Sequence, residues 1–204
     1  MSDDAGMSSL RADAAARRAL ILDAADHVFG SHGVNAPLEL IVERAQVGRA
    51  TLYRNFHDRT ALMQALLERT VDRIARRARA LEGRDDALFE LIADIAQRTV
   101  DSPALSDYWR AVDPGDPAMK AARAEVWAIF EGPMQRAVAA GLCRPDLLVA
   151  DITLISGMLG AALRGRTRDE RAVLARRAME LLRGGLQGPA VAVDTDGGNR
   201  SPEA

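Results

Sequence analysis

Apolar residues recur along most of the chain at the three- and four-residue spacing of helices, and no segment alternates as a strand does. The spacing is clear near residue 40, where one face of the segment is apolar and the other is charged. Leu38, Ile41, Val42 and Ala45 lie on the apolar face, and Glu39, Glu43 and Arg44 on the charged face. The same pattern continues beyond residue 180, so the sequence predicts an all-α fold of about nine helices.

Breaks in this pattern give the bounds of the helices. Gly33 can end the first helix, and Gln46 lies at the break between two short ones. Asp58 is a natural N-cap for a fourth helix. Pro133 lies inside the seventh helix and should kink it, and the pair 184–185 should end the last. The longer predicted helices are residues 11–30, 58–81, 85–100, 117–140, 146–163 and 168–183, with a short one from Ser102 through Trp109.

The short helix after Gln46 has two chemically different faces. Leu52 and Phe56 point one way and form an apolar back. Small residues on the other face let a helix approach a DNA major groove closely, and arginine and asparagine can make bidentate contacts with base edges. That face holds Ala50, Thr51, Arg54 and Asn55, with Arg49 and Tyr53 along one flank.

This part of the chain resembles the DNA-binding head of the TetR (tetracycline repressor) family. The similarity rests on the runs 47–56 and 58–62 and covers about the first third of the chain. Two positions depart from the usual pattern. Val42 stands where a small alanine is common, and Gln46 stands where the turn usually has glycine. Gln46 must therefore adopt a positive φ or reshape the turn.

The resemblance implies roles for individual side chains of the head. Phosphate contacts would come from Thr51, Tyr53 and Arg59. Contacts with bases would come from Arg49, Ala50, Arg54 and Asn55.

The resemblance also implies a three-helix head followed by a helical body that binds a ligand and dimerises. We therefore divide the chain into four parts. These are a flexible tail (1–10), a helix-turn-helix DNA-binding domain (11–57), an effector-binding and dimerisation domain (58–186) and a disordered tail (187–204).

Composition narrows the class of protein. The 204 residues carry a net charge of −2, so DNA binding must come from a local patch, for which Arg44, Arg49, Arg54 and Arg59 are candidates. A single cysteine, Cys143, excludes an intrachain disulfide and suits a reducing compartment. Signal-peptide and membrane-spanning patterns are missing, which favours a cytoplasmic location. We find no catalytic motif, metal-ligand spacing or cofactor motif, so we expect neither an enzyme nor a cofactor.

The aromatic residues suggest a ligand chamber in the body. Of eight aromatic residues in the chain, five lie between positions 89 and 130. Large rings beside alanines and glycines can leave a chamber, although the alternative is that these rings fill a core. The expected chamber has no charged side chain, which favours a mainly apolar effector. Its candidate residues are Phe89, Tyr108, Trp109, Trp127, Phe130, Met134 and Met158.

The last two helices carry more apolar surface than packing on one neighbour needs. By resemblance, they would form the interface of a homodimer. The alternative is that these side chains are buried within one chain. The candidate interface residues are Leu148, Ile152, Ile155, Leu159, Val173, Leu174 and Leu181.

Together these patterns predict a homodimeric, ligand-responsive transcriptional regulator, and a repressor in particular. Its partners would be double-stranded operator DNA of near-palindromic sequence and a small-molecule effector. The alternative is a small-molecule binding or scaffold protein that does not use its DNA-binding head. The intact Thr51, Tyr53 and Arg59 argue against that alternative.

Overall fold

The computed structural model describes residues 3–187, with side chains described from residue 12 onward. These residues form nine α-helices, one short 3-10 helix and no strand, which confirms the predicted all-α class. None of the helices in this range is long and apolar enough to cross a membrane. The helices are α1 (Asp3–His32), α2 (Leu38–Ala45), α3 (Arg49–Asn55), α4 (Arg59–Ala80), α5 (Ala87–Asp101), α6 (Pro103–Ala111), α7 (Pro117–Ala139), α8 (Asp151–Leu159) and α9 (Arg168–Leu186), with the 3-10 helix (Gly160–Arg164) between the last two.

Two separate apolar cores organise these helices. The first, the head core, lies among α1, α2, α3 and the start of α4, and Leu105 of α6 also reaches it. The second, the body core, lies among α5, α7, α8 and α9. Helix α4 belongs to both, because Leu62 and Leu66 are buried in the head core while Ile74 packs against the body core. It therefore connects the two halves of the molecule.

The turns of the head follow from the sequence. Gly33 has φ +85° directly after α1, and its N–H donates to the Phe29 carbonyl, as a helix-ending glycine does. Gln46 adopts φ 53° between α2 and α3, so the chain accepts a left-handed residue here rather than reshaping the turn. The Asp58 carboxylate accepts a hydrogen bond from the N–H of Ala61 at 2.7 Å and caps α4 as predicted.

Helix α1 begins earlier than the sequence pattern indicated. We predicted a flexible tail over residues 1–10, but the helix already starts at Asp3, so the prediction is wrong for 3–10. The segment contains no proline, so no residue in it removes a backbone N–H from the helix. The predicted tail 187–204 lies outside the described residues except for Gln187.

The helices near the C-terminus also differ from the predicted bounds. The predicted helix 146–163 starts only at Asp151, whose carboxylate accepts a hydrogen bond from the N–H of Leu148, and its end tightens into the 3-10 helix. Helix α9 continues through the glycine pair 184–185 instead of stopping there. Leu186 is buried and its carbonyl accepts a 2.7 Å hydrogen bond from the N–H of Arg144, and these contacts outweigh the poor helix propensity of glycine.

Candidate DNA-binding surface and ligand cavity

Helix α3 presents a polar face to solvent from an apolar back. Leu52 and Phe56 are buried in the head core. The opposite side exposes Arg49, Ala50, Tyr53 and Arg54. Thr51 and Asn55, the other two predicted contact residues of this helix, are half-buried.

Hydrogen bonds organise this face in the absence of DNA. Arg54 donates through Nη2 to the Thr51 hydroxyl at 3.1 Å, and Asn55 donates through Nδ2 to the Thr51 carbonyl at 2.7 Å. Arg49 forms an ion pair with Glu39 of α2. A hydrogen bond from its own backbone and the nearby guanidinium of Arg49 lower the pKa of Glu39. The contact with a base expected of Arg49 stays a prediction, and it would require Arg49 to leave this partner.

Arg59 has a role that the sequence did not reveal. Its guanidinium donates to the carbonyls of Val34 and Ala36 and lies 5.5 Å from the centre of the Phe29 ring. The side chain thereby fixes the loop between α1 and α2 to the start of α4. The phosphate contact expected of Arg59 stays a prediction, and it would have to share the guanidinium with these carbonyls.

A cavity of about 780 Å³ lies in the body, bounded by α4, α5, α6, α7 and α8. Two of the predicted ligand residues, Trp109 and Trp127, line it. The Trp127 indole donates through Nε1 to the Thr153 hydroxyl at 3.1 Å, which orients the ring. The apolar wall also contains Leu67, Val71, Ile74, Leu91, Ile95, Val112, Met119, Val126 and Ile152.

The other five predicted ligand residues lie elsewhere, and the prediction that they line the chamber is wrong. Phe89, Phe130 and Met134 are buried in the body core, because helical spacing turns them away from the cavity. Tyr108 packs against the head core, and Met158 is an exposed surface residue. Phe89, Phe130 and Met134 therefore fill a core, which was the alternative stated for the aromatic rings.

The cavity wall is also more charged than the sequence suggested. Side chains of α4, α5, α6 and α7 bring arginine and aspartate to the wall beside the apolar residues. The expected set contained only aromatic residues and methionines, so it missed every charge. The charged residues of the wall are Arg73, Arg77, Asp94, Arg98, Asp101, Arg110 and Arg123.

The predicted dimer residues divide into two groups. Ile152, Ile155 and Leu159 are buried in the body core of a single chain, so their assignment to an interface is wrong. The other four, Leu148, Val173, Leu174 and Leu181, are exposed. The sequence missed Leu154, which is exposed, and placed the exposed Met158 in the cavity. We call these six exposed side chains of the α8–α9 region the apolar face.

Known proteins match both the head and the whole chain. The family of bacterial regulatory proteins called the tetR family matches residues 21–66. A TetR transcription regulatory protein from Mycobacterium vanbaalenii is 31% identical, with 87% of this chain and 98% of that chain covered and a TM-score of 0.66. A TetR transcriptional regulator from Streptomyces coelicolor is 30% identical, with 83% and 97% covered and a TM-score of 0.64.

A third structure, described as a gamma-butyrolactone receptor, is 25% identical. The alignment covers 83% of this chain and 98% of that chain, with a TM-score of 0.54. No protein with a curated description matches the chain. Three observations agree, namely the match of the head to the family, the exposed polar face of α3 and the similarity of most of the chain to two TetR regulators. The chain therefore belongs to the TetR family of DNA-binding transcriptional regulators, which are not enzymes.

Proposed function

We propose that this regulator is a homodimeric repressor that leaves a near-palindromic operator when a small molecule fills the cavity. The exposed face of α3 is the observation that carries the proposal. It presents two exposed arginine side chains, a tyrosine and a small alanine on a short helix whose back is fixed in the head core. This is the arrangement that lets a recognition helix enter a major groove. A protein with this role works in the cytoplasm, where the DNA is.

Arg54 is the residue we expect to contribute most to sequence recognition. It is exposed, and within the described part of the chain its one side-chain hydrogen bond is to the neighbouring Thr51 hydroxyl. A bidentate contact between an arginine and a guanine discriminates against other bases by about 1–3 kcal/mol. Arg49 contributes less, because it must first give up its ion pair with Glu39.

The apolar face supports dimerisation. Six large apolar side chains are exposed on or beside α8 and α9, two helices that contact each other, and exposed apolar surface of this kind marks association sites. A dimer formed through this face would have two-fold symmetry. Its two α3 helices would then read two half-sites related by the same symmetry.

Helix α4 supports coupling between the cavity and DNA. Its N-terminal part is fixed in the head core through Leu62 and Leu66, and its later residues Val71 and Ile74 line the cavity. A ligand that prefers one tilt of α4 would therefore shift the position of the head. The similarity to a protein described as a gamma-butyrolactone receptor supports a small-molecule ligand.

Fluorescence anisotropy with a labelled duplex, enriched from random DNA by the wild-type protein, tests the proposal. Arg54→Ala should weaken binding by about 1–3 kcal/mol, which is roughly 5- to 150-fold. Arg79→Ala is the matched control, because Arg79 is an exposed arginine at the C-terminal end of α4, away from the head. This variant should leave the affinity for DNA unchanged. If both variants bind as the wild type does, α3 does not read the DNA. The alternative of a ligand-binding scaffold would then be favoured.

A further inference from the structure

The cavity wall contains more positive than negative side chains. Five arginines and two aspartates line it. Both aspartates already have partners within the protein. Asp94 accepts from Arg77 at 3.0 Å, and Asp101 accepts from Arg168, which does not line the cavity, at 2.9 Å. The wall therefore keeps an excess of positive charge.

Arg98 of α5 has a buried N–H group without a hydrogen-bond acceptor among the described residues. Its side chain is only 17% exposed and it donates through Nη2 to Asp26 at 2.7 Å. Its Nε is buried and has no hydrogen-bond partner among the described residues. Buried polar atoms are almost always hydrogen-bonded, and this N–H of a cavity-wall residue can still donate one hydrogen bond.

Arg73 of α4 also lines the cavity, and the charges of Arg98 and Asp26 both act on it. Its side chain is exposed, and it forms no ion pair or side-chain hydrogen bond with the side chains described between residues 12 and 187. Desolvation, and then the nearby positive charge of Arg98, lower the pKa of Arg73. An anion between these two arginines would relieve both effects, because it replaces lost hydration and neutralises their repulsion.

We propose that the effector is an amphipathic anion, with an apolar body against the two tryptophans and a single carboxylate or similar group held by Arg73 and Arg98. The cavity volume of about 780 Å³ suits a molecule of this kind. The apolar residues of the wall would contact the body of the ligand, and the guanidinium groups of Arg73 and Arg98 would pair with its charge. The inference rests on the proposed function of the cavity, and it adds a charged group to the mainly apolar effector expected from the sequence.

Arg98 also connects the cavity to α1 of the head. Asp26 of α1 accepts hydrogen bonds from Arg98, from Arg69 of α4 at 3.2 Å and from the Ser102 hydroxyl at 2.9 Å. An anion bound to Arg98 would compete with Asp26 for one guanidinium and weaken the attachment of α1 to α5. Binding of a charged ligand would thus change how firmly α1, and with it the head, is attached to the body.

Isothermal titration calorimetry without DNA tests this inference with three probes that share a ten-carbon chain. The probes are decanoate and decylamine, each below its critical micelle concentration, and decan-1-ol below its solubility limit in water. We expect decanoate to bind at least about tenfold more tightly than decan-1-ol, and decylamine to bind most weakly. This order follows because a hydrogen bond to a charged group is stronger than one between neutral groups.

The variant Arg73→Gln should reduce the preference for decanoate to less than about threefold and leave the affinity for decan-1-ol unchanged. Arg79→Gln is the control, because Arg79 lies on the same helix and does not line the cavity. The inference is overturned if decan-1-ol binds as tightly as decanoate, if the preference survives in Arg73→Gln, or if none of the probes binds. A protein that binds its DNA but not decanoate loses only this inference, whereas one that binds decanoate but no DNA loses the proposed function.

Discussion

Two aspartates on α1 should contribute very differently to stability, although both pair with Arg69. Asp26 is 15% exposed and accepts from Arg98, Arg69 and Ser102. Asp23, three residues earlier, is 71% exposed, and Arg69 is its one ion-pair partner among the side chains that the structure describes. The substitutions Asp26→Ala and Asp23→Ala therefore remove the same chemical group from a buried and from a solvated position.

The expected magnitudes follow from what each substitution leaves behind. Asp26→Ala leaves Arg98 without a carboxylate partner among the described residues, and breaking one side of a buried ion pair costs about 3–5 kcal/mol. The lower end applies, about 3 kcal/mol, because Arg98 borders the cavity and Arg69 keeps Asp23 as a partner. Asp23→Ala removes an exposed carboxylate and should cost about 0–1 kcal/mol.

Urea unfolding followed by circular dichroism measures both free energies. The protein concentration must be the same for all variants, because the stability of a dimer depends on it. Asp26→Asn should fall between the two alanine variants, because the amide oxygen still accepts a hydrogen bond. If Asp26→Ala and Asp23→Ala differ by less than about 0.5 kcal/mol, the ion-pair cluster around Asp26 does not hold α1 to the body as described.

Three further predictions concern the body. Leu181→Glu should convert the protein from dimer to monomer in sedimentation velocity, because it places a charge in the apolar face; a wild type that is monomeric at micromolar concentration would contradict this. Gly165→Ala should lower the free energy of unfolding by about 1–3 kcal/mol, because the added Cβ would lie 2.6 Å from the backbone N atom of Arg171. In the control Gly132→Ala the added Cβ meets only ordinary contacts, so the free energy of unfolding should not fall. Burial raises the pKa of the Cys143 thiol, so less thiolate is present at pH 8. The native protein should therefore react with iodoacetamide much more slowly than the unfolded protein. Equal rates would show that the thiol is open to solvent.

Local signals in the sequence were enough to predict the head. The cap at Asp58 depends on one side chain and the backbone three residues later. The turn after α2 depends on one residue, Gln46, whose positive φ was one of two stated alternatives. The buried back of α3 depends on the spacing of Leu52 and Phe56. Each of these features lies within about a turn of helix, so neighbouring residues contain the information.

Features that depend on distant residues could not be predicted in this way. Arg59 binds the carbonyl of Val34, 25 residues away, and nothing in the local sequence indicates that contact. On α8, both Leu154 and Ile155 are apolar, but the first is exposed and the second is buried. Helical spacing separates their two faces without showing which one meets the core of its own chain. The charges of the cavity wall come from four different helices and were missed for the same reason.

Selection of bound sequences from a pool of random duplexes tests most directly the central claim that two α3 helices, related by a dyad, read operator DNA. We expect the wild-type protein to enrich an inverted repeat, with half-site centres separated by about one helical turn of DNA or a multiple of it. The Leu181→Glu variant should lose this enrichment, because a single head makes too few contacts. Enrichment of a single asymmetric site, or of no sequence at all, would contradict the account.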